Sequence, residues 1–162
     1  MGRRTLVLDT SAVIAGLAPG IVDAEQITVP RVLEEARDLV SKLELETSVM
    51  TGRIKIIEPS KASLEKVREK AKQTGDVVSE TDVKLLALSL DFQNEGAELV
   101  TDDYAIQNLA SLFDIPFRRI AMPGIKEVLR WEAVCPACGR RYPTSTNTCT
   151  TCGSNLRRRP RR

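Results

Sequence analysis

Apolar residues fall along this chain in two rhythms, short solid runs and stretches spaced at about 3.6 residues, and the two alternate. The first solid run lies in TLVLDTSA, Thr5 to Ala12, where Leu6, Val7 and Leu8 lead straight into Asp9. Such a run predicts a strand covered on both faces, as in a parallel sheet. Ser11 to Leu17 is then expected to be a short helix ended by Pro19-Gly20, and Gln26 to Val29 a strand. Pro30 suits a first helical position and opens a predicted helix to about Leu45. Its Val32, Leu33, Ala36, Leu39, Val40 and Leu43 keep one inward face. Arg53 to Glu58 predicts an edge-like strand.

The same alternation continues. Ser60 is the expected cap of a helix with Leu64, Val67 and Ala71 inward and Gly75 as its stop. Ser79-Glu80-Thr81-Asp82 fits a capping box for the most apolar helix of the chain, which runs through Val83, Leu85, Leu86, Leu88, Leu90 and Phe92 to a stop at Gly96. Glu98 to Thr101 is a predicted strand, Tyr104 to Phe113 a helix, and Ile115 to Ile120 a last strand. Strands alternating with helices predict an α/β fold, a parallel sheet with helices on both faces. Pro123-Gly124 marks a break. The expected organisation is a main domain at 1–122, a linker at 123–133, a small cysteine module at 134–155 and a basic tail at 156–162.

A length of 162 residues suits one domain with an appendage. Only 4% of residues are aromatic, so the core is aliphatic and platforms for stacking bases are scarce. The net charge of +2 conceals a division. Residues 1–129 carry 16 Lys/Arg against 21 Asp/Glu, and residues 130–162 carry 8 against 1. A basic end on an acidic body points to a polyanionic partner. Histidine is absent, which excludes histidine acid/base chemistry, histidine triads and histidine metal sites. No apolar run approaches the roughly 18 residues of a membrane span, and Asp9 interrupts the patch after Arg3-Arg4 that otherwise resembles a leader. A soluble, cytoplasmic monomer is expected.

All four cysteines lie in two Cys-x-x-Cys-Gly knuckles, Cys135/Cys138 and Cys149/Cys152, separated by ten residues. Two such turns form a closed four-thiolate site for one structural zinc ion. Two disulfides, or a redox thiol pair, are the other readings. Arg140, Arg141 and the run Arg157, Arg158, Arg159 beside the knuckles are candidates for binding phosphates, the plainer reading being a solvated basic tail. The second constellation is acidic: Asp9 after the first strand, Glu35 one turn into a helix, Asp82 in the capping box, and Asp102 and Asp103 after a later strand. In a parallel sheet all fall at one edge, where ligands of open α/β sheets gather. Clustered carboxylates are tolerated when a hard cation such as Mg²⁺ or Mn²⁺ lies between them, and such a cation can activate water against a phosphodiester. Individually, Glu35 also reads as a solvated helix charge, and Asp82 and Asp102 as helix caps.

VLDTSA, the helix around Glu35, Asp82 before LLALSL, and LVTDDY resemble PIN-domain ribonucleases. With the cysteine ribbon and basic tail, and with Pro30 to Asp38 and Thr101 to Asn108 as the more specific matches, the chain resembles the Nob-type (NIN-one-binding) endonucleases in their archaeal form. The resemblance implies a three-layer α/β/α sandwich with a central parallel sheet plus a C-terminal zinc ribbon. It implies Mg²⁺- or Mn²⁺-dependent endonuclease cleavage of single-stranded RNA at the 3′ end of precursor small-subunit rRNA, and a KH-domain ribosome-assembly factor as partner. Asp9, Glu35, Asp82 and Asp103 match the metal ligands, the family's Thr-x-Asp pattern setting Asp103 against Asp102. Thr10, Ser11 or Thr101 would hydrogen-bond a ligand or its water. The alternatives are a toxin-like PIN ribonuclease with another RNA target, and a non-catalytic RNA-binding assembly factor whose ribbon does the binding.

Overall fold

Five short strands form one sheet in the computed structural model, which describes residues 4–14, 24–120 and 130–161. They are β1 (Arg4–Leu8), β2 (Ala24–Thr28), β3 (Ile54–Ile56), β4 (Ala97–Val100) and β5 (Phe117–Arg118). Their order is β3-β2-β1-β4-β5, and every pairing is parallel. Leu6, Val7 and Leu8 point to alternate faces yet are all buried, so both faces of β1 are covered, as its unbroken apolar run requires. β3 is an edge strand, as expected. The order reverses between β1 and β4, and at that switch point the two strand ends lie side by side, Leu8 opposite Val100.

Among the described residues six helices connect the strands: α1 (Thr10–Ile14), α2 (Pro30–Glu35), α3 (Leu39–Met50), α4 (Lys61–Thr74), α5 (Glu80–Asp91) and α6 (Tyr104–Leu112). α4 and α5 begin at Ser60 and Ser79, as their capping residues predict, and Ser79 and Asp82 make both bonds of the box. α5 packs on β1, β4 and α4, with Val83, Leu85, Leu86 and Leu88 buried. It stops at Asp91, short of the expected Gly96, which instead ends a 3-10 turn at Gln93–Glu95. The expected end of the first helix near Leu17 and the Pro123-Gly124 break lie outside the described residues.

The single helix expected from Pro30 to Leu45 is two. Ala36 is extended, and the Asp38 carboxylate accepts the Ser41 N–H to start α3 afresh. The break rotates α3 relative to α2. Leu39, Val40 and Leu43, expected to face the core, are 72%, 66% and 53% exposed, while Leu45 is buried.

A second, antiparallel sheet is built from β6 (Trp131–Val134), β7 (Arg141–Tyr142) and β8 (Arg157–Pro160), in the order β7-β6-β8. Trp131 pairs with Pro160 and Val134 with Arg157. Residues expected to be linker and tail are therefore strands of the cysteine module's own sheet.

Candidate functional site

Asp9 follows β1 directly and is 8% exposed. Three donors hold it: Thr10 N–H on Oδ1 at 2.6 Å, and Ser11 Oγ and Thr101 Oγ1 on Oδ2 at 3.2 and 2.7 Å. Burial raises its pKa above the ordinary carboxylate value, these hydrogen bonds lower it in part, and the Asp103 charge raises it further. Thr101 brings in the second strand end. Its hydroxyl also accepts the Asp103 N–H at 3.1 Å, and Asp103 Oδ1 caps α6 by accepting the Ala105 and Ile106 N–H groups.

Glu35 closes α2 and is bound by two threonines that flank other acids. Thr10 Oγ1 donates to its Oε2 at 2.9 Å and Thr81 Oγ1 to its Oε1 at 2.5 Å. Asp82, next to Thr81, accepts the Ser79 N–H at 2.7 Å. Burial raises its pKa too, the Ser79 bonds oppose this, and the charges of Asp103 and Asp9 add to it. Asp9, Glu35, Asp82 and Asp103 thus share one neighbourhood at the switch point. Asp102 is turned to the segment after β5, where its Oδ1 accepts the Ile120 N–H at 2.8 Å. The capping expected of Asp102 is done by Asp103. Thr81 had no signal of its own in the sequence beyond standing inside the capping box.

The donor set fits a hard cation. Four carboxylates are oriented by hydroxyls and backbone N–H groups, and among the described residues no Lys or Arg forms an ion pair with any of them. Oxygen donors of that kind suit Mg²⁺ or Mn²⁺. Among the described residues only the four thiols converge to within 4.8 Å. A wider carboxylate set is compatible with Mg²⁺, which keeps several of its waters.

The thiols form a second, closed site. Sγ of Cys135 lies 3.4 Å from that of Cys152, and Sγ of Cys138 lies 3.6 Å from that of Cys149. Those gaps are too long for S–S bonds of about 2.05 Å and close to the edge of a tetrahedron with metal–sulfur bonds of about 2.3 Å. All four cysteines are free thiols. The knuckles are alike: Gly139 and Gly153, both at positive φ, donate to the Cys135 and Cys149 carbonyls. The Tyr142 hydroxyl, 3.2 Å from Cys149 Sγ, leads the causes that lower that thiol to about 5. Cys138 is pushed up to about 11: the Arg140 N–H lowers it, but the Cys135 and Cys149 thiols, with burial, outweigh that. Neighbouring thiols resist joint ionisation, and a shared cation removes that conflict.

The five candidate arginines separate. Arg141 forms an ion pair with Glu132 and Arg158 lies 4.5 Å over the Trp131 ring. Arg157 and Arg159 point to the other face of β8, and Arg140 donates to Thr151 Oγ1. The module is docked on the body by contacts the sequence did not signal. Trp131 Nε1 donates to Asp76 Oδ1 at 3.0 Å, and Asp76 Oδ2 accepts from Thr74 and Asn108.

Residues 6–92 match the family described as "PIN domain of ribonuclease". The chain is similar to "Endoribonuclease Nob1" of Pyrococcus abyssi, 38% identical over 161 residues, which is 97% of this chain and 94% of that protein. It is also similar to "Ribonuclease VapC3" of Aeropyrum pernix, 40% identical over 127 residues, 76% of this chain and 91% of that protein. A shorter match, 33% over 94 residues, covers 56% of this chain and 20% of the "20S-pre-rRNA D-site endonuclease NOB1" of Saccharomyces cerevisiae.

Proposed function

This chain belongs to the Nob1 family of PIN-domain endoribonucleases, and from that premise we propose that it cleaves single-stranded precursor rRNA at the 3′ end of the small-subunit sequence, using Mg²⁺ or Mn²⁺. The observation that carries the reading is the linkage of Asp9, Glu35, Asp82 and Asp103 through Thr10, Thr81 and Thr101. The yeast relative named as a 20S pre-rRNA endonuclease supports the choice of substrate.

The four carboxylates are the proposed cation ligands, and a bound cation would supply an activated water and stabilise the departing oxygen. The chain's own part is positioning. Thr101 and Ser11 orient Oδ2 of Asp9, and Thr10 and Thr81 fix Glu35 between the first residues of α1 and α5. With no histidine in the sequence, proton transfer falls to carboxylates and water. The cysteine cluster is the proposed zinc site, and the arginines of its sheet hold RNA near a body that is otherwise acidic. A PIN body at 1–122 and a ribbon extended to 131–161 by β6 and β8 is the domain division we favour. Asp102 is proposed as a brace for β5 rather than a ligand. We further propose a KH-domain assembly factor as partner, on the family resemblance alone, and a monomeric state.

The zinc-loaded chain should cut an RNA spanning the rRNA 3′ end in Mn²⁺, and Asp9→Asn should bind that RNA without cutting it. Equal cleavage by both overturns the assignment. The A. pernix relative, named as a ribonuclease without an rRNA target, leaves a second reading, a toxin-like RNase with another RNA target; growth arrest on expression of the wild type, but not of Asp9→Asn, would support it.

A further inference from the structure

A groove of about 1110 Å³ separates the PIN body from the cysteine module, walled by the end of α4, the start of α5 and the sheet of β6 to β8. Its volume lies at the top of the range of small-molecule pockets, about 300–1,000 Å³, and it is open rather than enclosed. Its walls carry Arg68 and Lys72 from α4, Arg141, Arg158 and Arg161 from the module, and Trp131, the sole tryptophan of the chain.

The acids in the walls are already engaged. Glu80 pairs with Arg68, Glu132 with Arg141, and Asp76 accepts hydrogen bonds from Thr74, Asn108 and Trp131. Among the described residues Lys72, Arg158 and Arg161 form no ion pair, which leaves the groove with uncompensated positive charge. Arg158 lies over the Trp131 ring and is exposed, which leaves its guanidinium available to stack on a splayed base.

The groove borders the helix that carries Asp82. Glu80 and Val83 of α5 line it, while Asp82 lies between them in sequence, about 100° from Val83 and about 160° from Glu80 around the helix. Groove and acid site therefore lie on different sides of the first turn of α5.

We propose that this interdomain groove holds the single-stranded RNA flanking the scissile phosphodiester, with phosphates on Lys72, Arg158 and Arg161 and a base stacked on the outer face of Arg158. The choice of RNA rests on the endonuclease reading above. A duplex is excluded because its stacked bases cannot reach a guanidinium plane inside a groove.

The test titrates the zinc-loaded full chain, without added Mn²⁺, with a 12-nucleotide oligouridine, reading anisotropy and Trp131 fluorescence over a range of salt. Wild type should show a Trp131 response that saturates with binding. Lys72→Ala/Arg161→Ala should weaken binding and lower the slope of log K against log salt by about 1.4, two single-strand phosphate contacts. An unchanged slope, no Trp131 response, or equal competition by duplex RNA overturns the groove. Cleavage in Mn²⁺ is scored on the same proteins. Cutting by wild type with an unaffected double variant sinks the groove and leaves the endonuclease standing. Groove binding with no cutting sinks the endonuclease and leaves the groove.

Discussion

Thr101 Oγ1 donates a 2.7 Å hydrogen bond to Asp9 Oδ2 while accepting one from the Asp103 N–H, so a single buried hydroxyl spans the ends of β1 and α6. Partners that orient metal ligands typically contribute 10–100-fold to affinity or activity. Thr101→Val, which keeps the shape and removes the hydroxyl, is expected to raise the Mn²⁺ concentration needed for half-maximal cleavage by about 10–100-fold. A metal titration of the cleavage rate checks this, and an unchanged requirement contradicts the role given to Thr101.

Gly75 ends α4 in the left-handed region, φ +73°, and a Cβ there would lie 2.7 Å from Thr144 Cγ2 of the cysteine module. Gly75→Ala should cost about 1–2 kcal/mol from the backbone alone, with a further loss from displacing the module. Adding Thr144→Ala should restore only the second part. Urea unfolding of the single and double variants separates the two; no recovery would place the whole effect in the backbone.

Zinc content gives a third expectation. The purified chain should hold one zinc per molecule, and Cys149→Ser should lose it and shift Trp131 emission to longer wavelength as β6 loosens, with far-UV dichroism of the helices retained. Elemental analysis and fluorescence decide the matter. Full zinc in Cys149→Ser would contradict a four-thiolate site.

Asp91 joins α5 to the start of α4, accepting from Ser60 N, Ser60 Oγ and Ser63 Oγ at 2.6–2.7 Å. Slight burial raises its pKa, but the bonds from Ser63 and Ser60 and the Lys66 charge outweigh that and hold it below 3.8. A depressed carboxylate stabilises the fold above its unfolded pKa and loses that contribution as pH falls through the folded value. Asp91→Asn should cost about 1–2 kcal/mol at pH 7, charged hydrogen bonds discounted for solvent exposure. The gap from wild type should close below about pH 3.8, the ordinary carboxylate value. Denaturation at pH 7 and pH 3 measures it, and a gap independent of pH would rule out the carboxylate charge as its source.

Local signals carried most of the body. The run before Asp9, the caps at Ser60 and Ser79, and the Gly75 stop each act within a few residues, and each is where the structure has it. The break after Glu35 was also local, since Asp38 caps through Ser41, but the apolar spacing on either side of it masked the cap. The strand at Arg157–Pro160 was not legible: four residues with three arginines have little strand propensity of their own, and their pairing with β6 is a long-range contact. Glu35 shows the same limit at the site. Its place among other acids is expected from the sequence, but its ties to Thr10 and Thr81 exist only in the folded chain.

The central claim, that Asp9, Glu35, Asp82 and Asp103 share a divalent cation, is tested most directly by titrating the zinc-loaded, ¹⁵N-labelled chain with Mn²⁺. Paramagnetic broadening should begin at these four residues and at Thr10, Thr81 and Thr101, and Asp9→Asn should abolish it at low Mn²⁺. Broadening that starts elsewhere, or that persists unchanged in Asp9→Asn, would contradict the account.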